Sequence, residues 1–253
     1  MDIHKPKPWR GWREFLREYA TIVVGVMTAL AAEQGVEWLR WQEKVHSAEA
    51  YLKRDLALTS DFASERVAIG RCLDGRLALL KSMVMSPPGP AGVGVPHDAD
   101  GFAMSSAYRA PSRGWSAEVW DGMMGDGAHE HLDRERDRAL GLLFMTVRSA
   151  RAANIEEKNE STDLGVIAQD AIALTPDKRI EMLQHIIRLQ RSNDEITSLS
   201  RQILRRISDV GYLPSLEDTK RRLGSAYSGA MKCRFADEDL KDRVLKDWFT
   251  LHR

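Results

Sequence analysis

At 253 residues, the chain is long enough for one or two domains with a real core. Hydrophobic residues make up 43% and charged residues 29%, a balance that argues for folding rather than disorder. Lys plus Arg and Asp plus Glu both number 37, and without a basic excess to offset phosphate no nucleic-acid partner is expected.

Residues 1–18 read as a basic, aromatic tail that contains Lys5, Lys7, Arg10, Arg13 and Arg17 beside Trp9 and Trp12. An uncharged run, Tyr19 to Ala32, follows. Its fourteen residues rise about 21 Å as a helix, short of a hydrocarbon core of ~30 Å. The flanks favour a membrane span over residues 19–38. Trp9, Trp12 and Tyr19 stand at one end and Trp38 and Trp41 at the other, which is where bilayer interfaces place amphipathic rings. Arg13 and Arg17 can snorkel outward and lengthen the span. Insertion is marginal: Ile22, Val23, Val24, Val26 and Leu30 contribute roughly −1.5 to −3 kcal/mol. Two rivals stay open. Ala29-Leu30-Ala31 has the form of a signal-peptidase site, although Glu14 and Glu18 crowd the leading region, and a soluble core helix has the same length.

Five basic residues precede the run, against Arg40 and Lys44 just after it, so the positive-inside rule leaves the N-terminus in the cytoplasm and exports the rest. Cys72 and Cys233 could pair in an oxidising compartment, or remain two buried thiols. Glu33 and Glu37, one turn apart near the end of the span, read as interfacial groups rather than an ion path. Gly25 and Ala29 form a small-xxx-small pair that would allow a homo-oligomer.

The helix is predicted to continue over 39–85. Trp41, Val45, Ala48, Leu52, Leu56, Phe62, Val67, Ile69, Leu73, Leu77, Leu80 and Val84 recur mostly at three and four, and no proline intervenes between Pro8 and Pro87. Gly25, Gly35 and Gly70 are its weak points. Arg54, Arg66, Arg71 and Arg76 alternate with Asp55, Asp61, Glu65 and Asp74, which reads as a solvated face. Ser86-Pro87-Pro88 ends the helix, and 86–114 reads as a long Gly/Pro-rich loop. Within it, AGVGV opens no helix and is no phosphate loop.

Residues 115–253 read as a helical bundle. Ser116 can cap a short helix broken by Gly125-Asp126-Gly127, and a long helix starts near Leu132. Thr175-Pro176-Asp177 starts another, with Ile180, Leu183, Ile187, Ile196, Leu199, Ile203 and Ile207 as its stripe and Gly211 as its end. Ser215 opens a further helix, and Asp237 to Phe249 forms the last. With no strand alternation, the expected fold is all-α: an N-terminal transmembrane helix running on into a long helix packed in an antiparallel bundle.

The segment Phe15 to Trp38 resembles an uncharacterised bacterial family with one N-terminal membrane helix before a helical soluble domain. The resemblance rests on Glu18, Ile22, Val23, Val24, Gly25, Ala29, Leu30, Glu33, Gln34 and Trp38, with a second block at Trp120, Met123, Met124, Gly125, Asp126, Gly127 and Leu132. Glu33-Gln34 departs from the commoner amide pair. The resemblance implies a membrane-anchored helical protein of bacteria and implies no activity.

The densest ionisable cluster is His129-Glu130-His131-Leu132-Asp133, which with His97 offers metal-type ligands. Its spacing is not that of a two-histidine zinc helix, so a polar helix entry is the simpler reading. No serine elbow and no Cys beside a credible catalytic His is present, so no catalytic residue and no cofactor are expected. The chain therefore reads as a non-catalytic protein in the bacterial cytoplasmic membrane, with lipid and an unknown protein as partners and its bundle in the periplasm. The alternatives are a metal-dependent enzyme and a small-ligand receptor with its pocket under the 86–114 loop.

Overall fold

The computed structural model describes residues 11–86, 107–168 and 174–215, with 217, 218 and 221 beyond. Among them the chain is all-α, without a strand. Four helices are present: α1 (Trp12–Met85), α2 (Glu118–Gly125), α3 (Arg134–Asp163) and α4 (Pro176–Asp209), with short 3-10 turns at Ala128–His131 and Leu164–Ala168. Trp9, His97, Cys233 and the helix expected at Asp237 to Phe249 lie outside the described residues. The chain divides into two units, 1–49 and 50–253.

In the first unit, α1 runs unbroken through Gly25 and Gly35, neither of which leaves the right-handed region. Every residue from 19 to 32 is exposed, so no described part of the chain covers this apolar run. It is the one described helix long and apolar enough to cross a membrane, by length and composition. Trp12, Phe15 and Tyr19 stack along one side, with ring centres 5.7 and 6.1 Å apart. Thr21 and Thr28 donate their hydroxyls to the carbonyls of Arg17 and Val24 one turn back, so neither seeks an outside partner.

The second unit is built on three seams. On α1, Leu52, Leu56, Thr59, Ala63, Arg66, Gly70, Leu73, Leu77, Leu80 and Val84 are buried, spaced four and three throughout. On α3 the same rhythm buries Leu140, Leu143, Val147, Ala150, Asn154 and Glu157, and on α4 Met182, Ile186, Leu189, Asn193, Ile196, Ser200, Ile203 and Ile207. This is a heptad pattern, the repeat that keeps one face of each helix against its neighbours. Ile69 to Val84 on α1 packs with Leu164, Ile167, Leu174 and Met182 to Leu189 in one apolar cluster, and at another level Trp120 stacks on Phe144 at 5.7 Å.

The α4 stripe differs from the sequence expectation. Ile180 and Ile187 are exposed at 57% and 41%, whereas Met182, Ile186 and Leu189 are buried. The later part of the expected stripe, Ile196, Ile203 and Ile207, lies on the seam, and the earlier part falls off it because the seam passes through the polar Asn193. Directions also differ in part. Glu160 meets His185 and Arg136 meets Tyr212, so α3 and α4 are antiparallel. Arg66 meets Asn193 and Arg179 meets the Val84 carbonyl, so α1 also opposes α4 and runs in the same direction as α3. Parallel neighbours need a long connection, which the 48 residues from 86 to 133 supply.

The local signals behave as their chemistry requires. The Thr175 hydroxyl accepts from the Lys178 amide at 3.3 Å. Gly211 (φ 75°) closes α4: its amide donates to Ser208 and that of Tyr212 to Ile207, the paired bonds of a Schellman turn. Asp133 caps α3 by accepting from Arg136, so the helix begins at Arg134 rather than Leu132.

Gly70 is a contact point and not a weak point. A β-carbon there would stand 3.0 Å from Thr197 Oγ1. We predict that Gly70→Ala lowers stability by about 1 kcal/mol net, overpacking strain of ~1–3 kcal/mol outweighing the helix-propensity gain. Thr197→Ala added to it removes the obstructing atoms and recovers most of the loss, as read by thermal melts of helical circular dichroism.

Candidate functional site

Two polar sites stand out in the second unit. The first crosses the bundle core where the three seams each carry a polar residue at one level. Arg66 from α1 donates to Glu157 from α3 through both terminal nitrogens, at 2.8 and 2.5 Å, and also to Asn193 Oδ1 of α4 at 2.9 Å. The Arg66 and Glu157 side chains are only 3% and 1% exposed. Asn193 in turn donates to the Gly70 carbonyl at 3.1 Å and to Asp74. Arg66 and Glu65 thus overturn the expected solvated face: both are buried, because α1 is covered on every side from Ala63 to Gly70.

The third side is closed by the non-helical segment 107–117, part of the stretch expected to be a loop. Tyr108 is buried and donates its hydroxyl to Glu157 at 2.7 Å. Burial first, and then the Glu157 charge, push the Tyr108 phenol upward, so it stays a donor. Arg113 forks onto Glu65 at 2.6 and 2.5 Å and lies over Phe62, while Phe62 meets Trp115 edge to face at 6.0 Å. Asn154 pins this strap by its backbone, donating to the Pro111 carbonyl and accepting the Arg113 amide, each at 3.0 Å. Chemically, the charges and the phenol are spent on one another, and of the Arg66 nitrogens only the buried Nε has no partner.

The second site joins the end of α3 to the beginning of α4. His185 Nδ1 is 2.8 Å from Glu160 Oε2 and 3.6 Å from Asp163 Oδ2, and its Nε2 is 3.9 Å from Glu181 Oε1. Arg188 donates to the same Glu160 oxygen and reaches His185 Nδ1, both at 2.9 Å. Glu160, Asp163 and His185 are the one described group whose donor atoms, all within 4.8 Å of one another, suit a metal ion. Burial pushes the Glu160 carboxyl up, but hydrogen bonds from Arg188 and His185, with their charges, hold it below the usual range.

The residues singled out from sequence do not assemble into a centre. His129 contacts the Met123 carbonyl at 3.3 Å and packs edge-on against Trp120, Asp133 is the α3 cap, and Glu130 and His131 are exposed. In a 3-10 turn, adjacent residues point in different directions, so density along the chain does not converge. Cys72 lies half-buried on α1 and is not a free thiol. Sequence reading missed both real clusters. Glu160 and Asp163 carry a weak signal at i, i+3, but only the pairing of α3 with α4 brings His185 to them. Compared with protein-family models, curated proteins and solved structures, the chain matches none.

Breaking the buried pair from one side leaves an uncompensated charge. Arg66→Met or Glu157→Gln alone is expected to cost about 3–5 kcal/mol, on the order of 10 °C in Tm. The double variant Arg66→Met/Glu157→Gln should cost clearly less than the sum of the two single variants in a double-mutant cycle. Asn154→Ala should release the strap at a cost of about 1–3 kcal/mol. Limited proteolysis would then cut within 107–117 faster, while helical content holds.

Proposed function

We propose that this chain is a single-span membrane protein that presents a helical bundle for protein–protein interaction outside the cytoplasmic membrane, without catalysis of its own. The supporting observation is the uncovered apolar run from Tyr19 to Ala32 within an unbroken helix. Tyr19 and Trp38, nineteen residues apart, stand about 28 Å apart along a helix, close to the ~30 Å hydrocarbon thickness. The aromatic stack at Trp12, Phe15 and Tyr19 suits one interface, and Lys44 over the Trp41 ring suits the other. The self-satisfied hydroxyls of Thr21 and Thr28 meet the demand that lipid places on every polar group.

The charge asymmetry around the run supports an N-terminus in the cytoplasm and a periplasmic bundle, with Cys72 paired to Cys233 there. An interaction role is supported by how the second unit uses its charges: Arg66, Glu157, Glu65 and Arg113 hold helices and strap together rather than facing a substrate. The resemblance to the bacterial single-span family is consistent with this reading.

The test is direct. The full-length chain should sediment with membranes, resist extraction by high salt and alkaline carbonate, and dissolve in detergent. A reporter fused after Arg253 should read as periplasmic. Val24→Lys with Leu30→Lys should abolish membrane retention, since each charge near the centre of a span costs about 2.5–3.5 kcal/mol. Recovery of the wild-type chain in the aqueous fraction would overturn the proposal.

A further inference from the structure

We propose that Glu160, Asp163 and His185 form a site for a divalent transition-metal cation of the zinc class, bridging α3 and α4. This inference does not depend on the membrane reading. Three protein ligands of imidazole and carboxylate type are the number and kind that zinc sites use when they keep a fourth position for water. Bonds of about 2.0–2.1 Å in a tetrahedron put ligand atoms about 3.3 Å apart. The two separations from His185 Nδ1, 2.8 and 3.6 Å, bracket that edge. Glu160 and Asp163, three residues apart near the end of α3, face the same neighbour, and His185 enters from α4.

Two further features point to a cation. The first is the environment of Nδ1. Arg188, which can only donate, reaches it at 2.9 Å, a contact that suits the tautomer with its lone pair on Nδ1, the form a metal requires. Yet Nδ1 is also 2.8 Å from Glu160 Oε2, another lone-pair atom. That contact suits a proton on Nδ1 instead, and either occupant, proton or metal, places positive charge between the two atoms. Arg188 supplies part of it from the rim, where its side chain is 42% exposed. The second feature is Glu181, whose Oε1 lies 3.9 Å from Nε2 while Lys178 holds it at 2.7 Å. At 3.9 Å it is beyond hydrogen-bond reach and favours a cation through its charge alone. A proton on Nδ1 is the competing occupant, and the experiment separates the two.

Full-length protein in detergent, stripped with chelator, is titrated with Zn²⁺ by calorimetry and followed by thermal melts. One Zn²⁺ per chain and a raised Tm are expected. Asp163→Asn, at a largely exposed side chain that leaves folding intact, should weaken binding roughly tenfold or more, as should Glu160→Gln and His185→Gln. Arg188→Gln removes the rival cation and should tighten binding, while His129→Ala should leave it unchanged. No stoichiometric binding, with His185 Nδ1 protonated by ¹⁵N NMR, would overturn the proposal. So would binding that survives Asp163→Asn and Glu160→Gln undiminished.

Discussion

The bundle of the second unit hangs on one buried ion pair. Taking Arg66 and Glu157 out of water costs several kcal/mol per ion, and their attraction offsets this only when every donor and acceptor is matched. Here the match is extensive, with Arg66 Nε alone left over: a two-pronged fork between the charges, Asn193 on the guanidinium, and Tyr108 on the carboxylate. What the pair contributes most is register. Arg66, Glu157 and Asn193 occupy seam positions of their helices, surrounded along each seam by mostly apolar neighbours. Sliding α1 by one heptad would put Thr59 or Leu73 at the polar level and strand Glu157. Sliding α4 by seven would replace Asn193 with Ile186 or Ser200. Each alternative packs hydrophobic groups about as well and fails on the charges, which is how polar seam positions specify one alignment among many.

The same pair explains why a segment without helix belongs to the core. Two neighbouring helices cannot enclose a third on all sides, yet α1 is buried for eight consecutive residues. The strap 107–117 covers the remaining side, and it does so with residues that complete the charge layer. Tyr108 finishes the coordination of Glu157, and Arg113 neutralises Glu65, the next residue along α1 from the pair. Asn154, one turn before Glu157 on α3, fixes the strap's backbone, so the helix that supplies the carboxylate also positions the phenol that bonds to it. Small residues on α1, Ala63, Ser64, Ala68 and Gly70, leave room for this close approach.

What was legible in the sequence was local. The length of α1 followed from an apolar rhythm without proline, the start of α4 from Thr175-Pro176, and its end from Gly211, because each depends on a few adjacent residues. The charge layer was not legible, since Glu65 and Arg66 sit in a run of mixed charge that would suit a solvated helix face equally well. Nothing near them in sequence says that Glu157 is 91 residues on from Arg66 and Asn193 127. The one available signal was rhythm: the four-and-three spacing of α1 is unbroken only if Thr59, Arg66 and Gly70 are admitted to it, and that of α4 only if Asn193 and Ser200 are. Reading apolar residues alone broke both seams and displaced the α4 face. The cluster at His129 is the converse case: its residues are adjacent in the chain and serve a helix entry, whereas Glu160, Asp163 and His185 are separated in the chain and convergent in space.

One helix, α1, is thus governed by two opposite rules along its length. From 63 to 70 it is enclosed and yet carries a buried cation and a buried anion, tolerated because partners arrive from three other elements. From 19 to 32 it carries no charge and is uncovered on every side. Apolar surface left in water forfeits about 25 cal/mol per Å². A run of this kind, its hydroxyls already bonded to its own backbone, gains nothing from water and much from an apolar surrounding. The charged segment needs specific protein neighbours, and under the proposed membrane reading the uncharged one needs only a nonpolar medium, so that reading gives the second unit a fixed, ordered environment and the first a generic one.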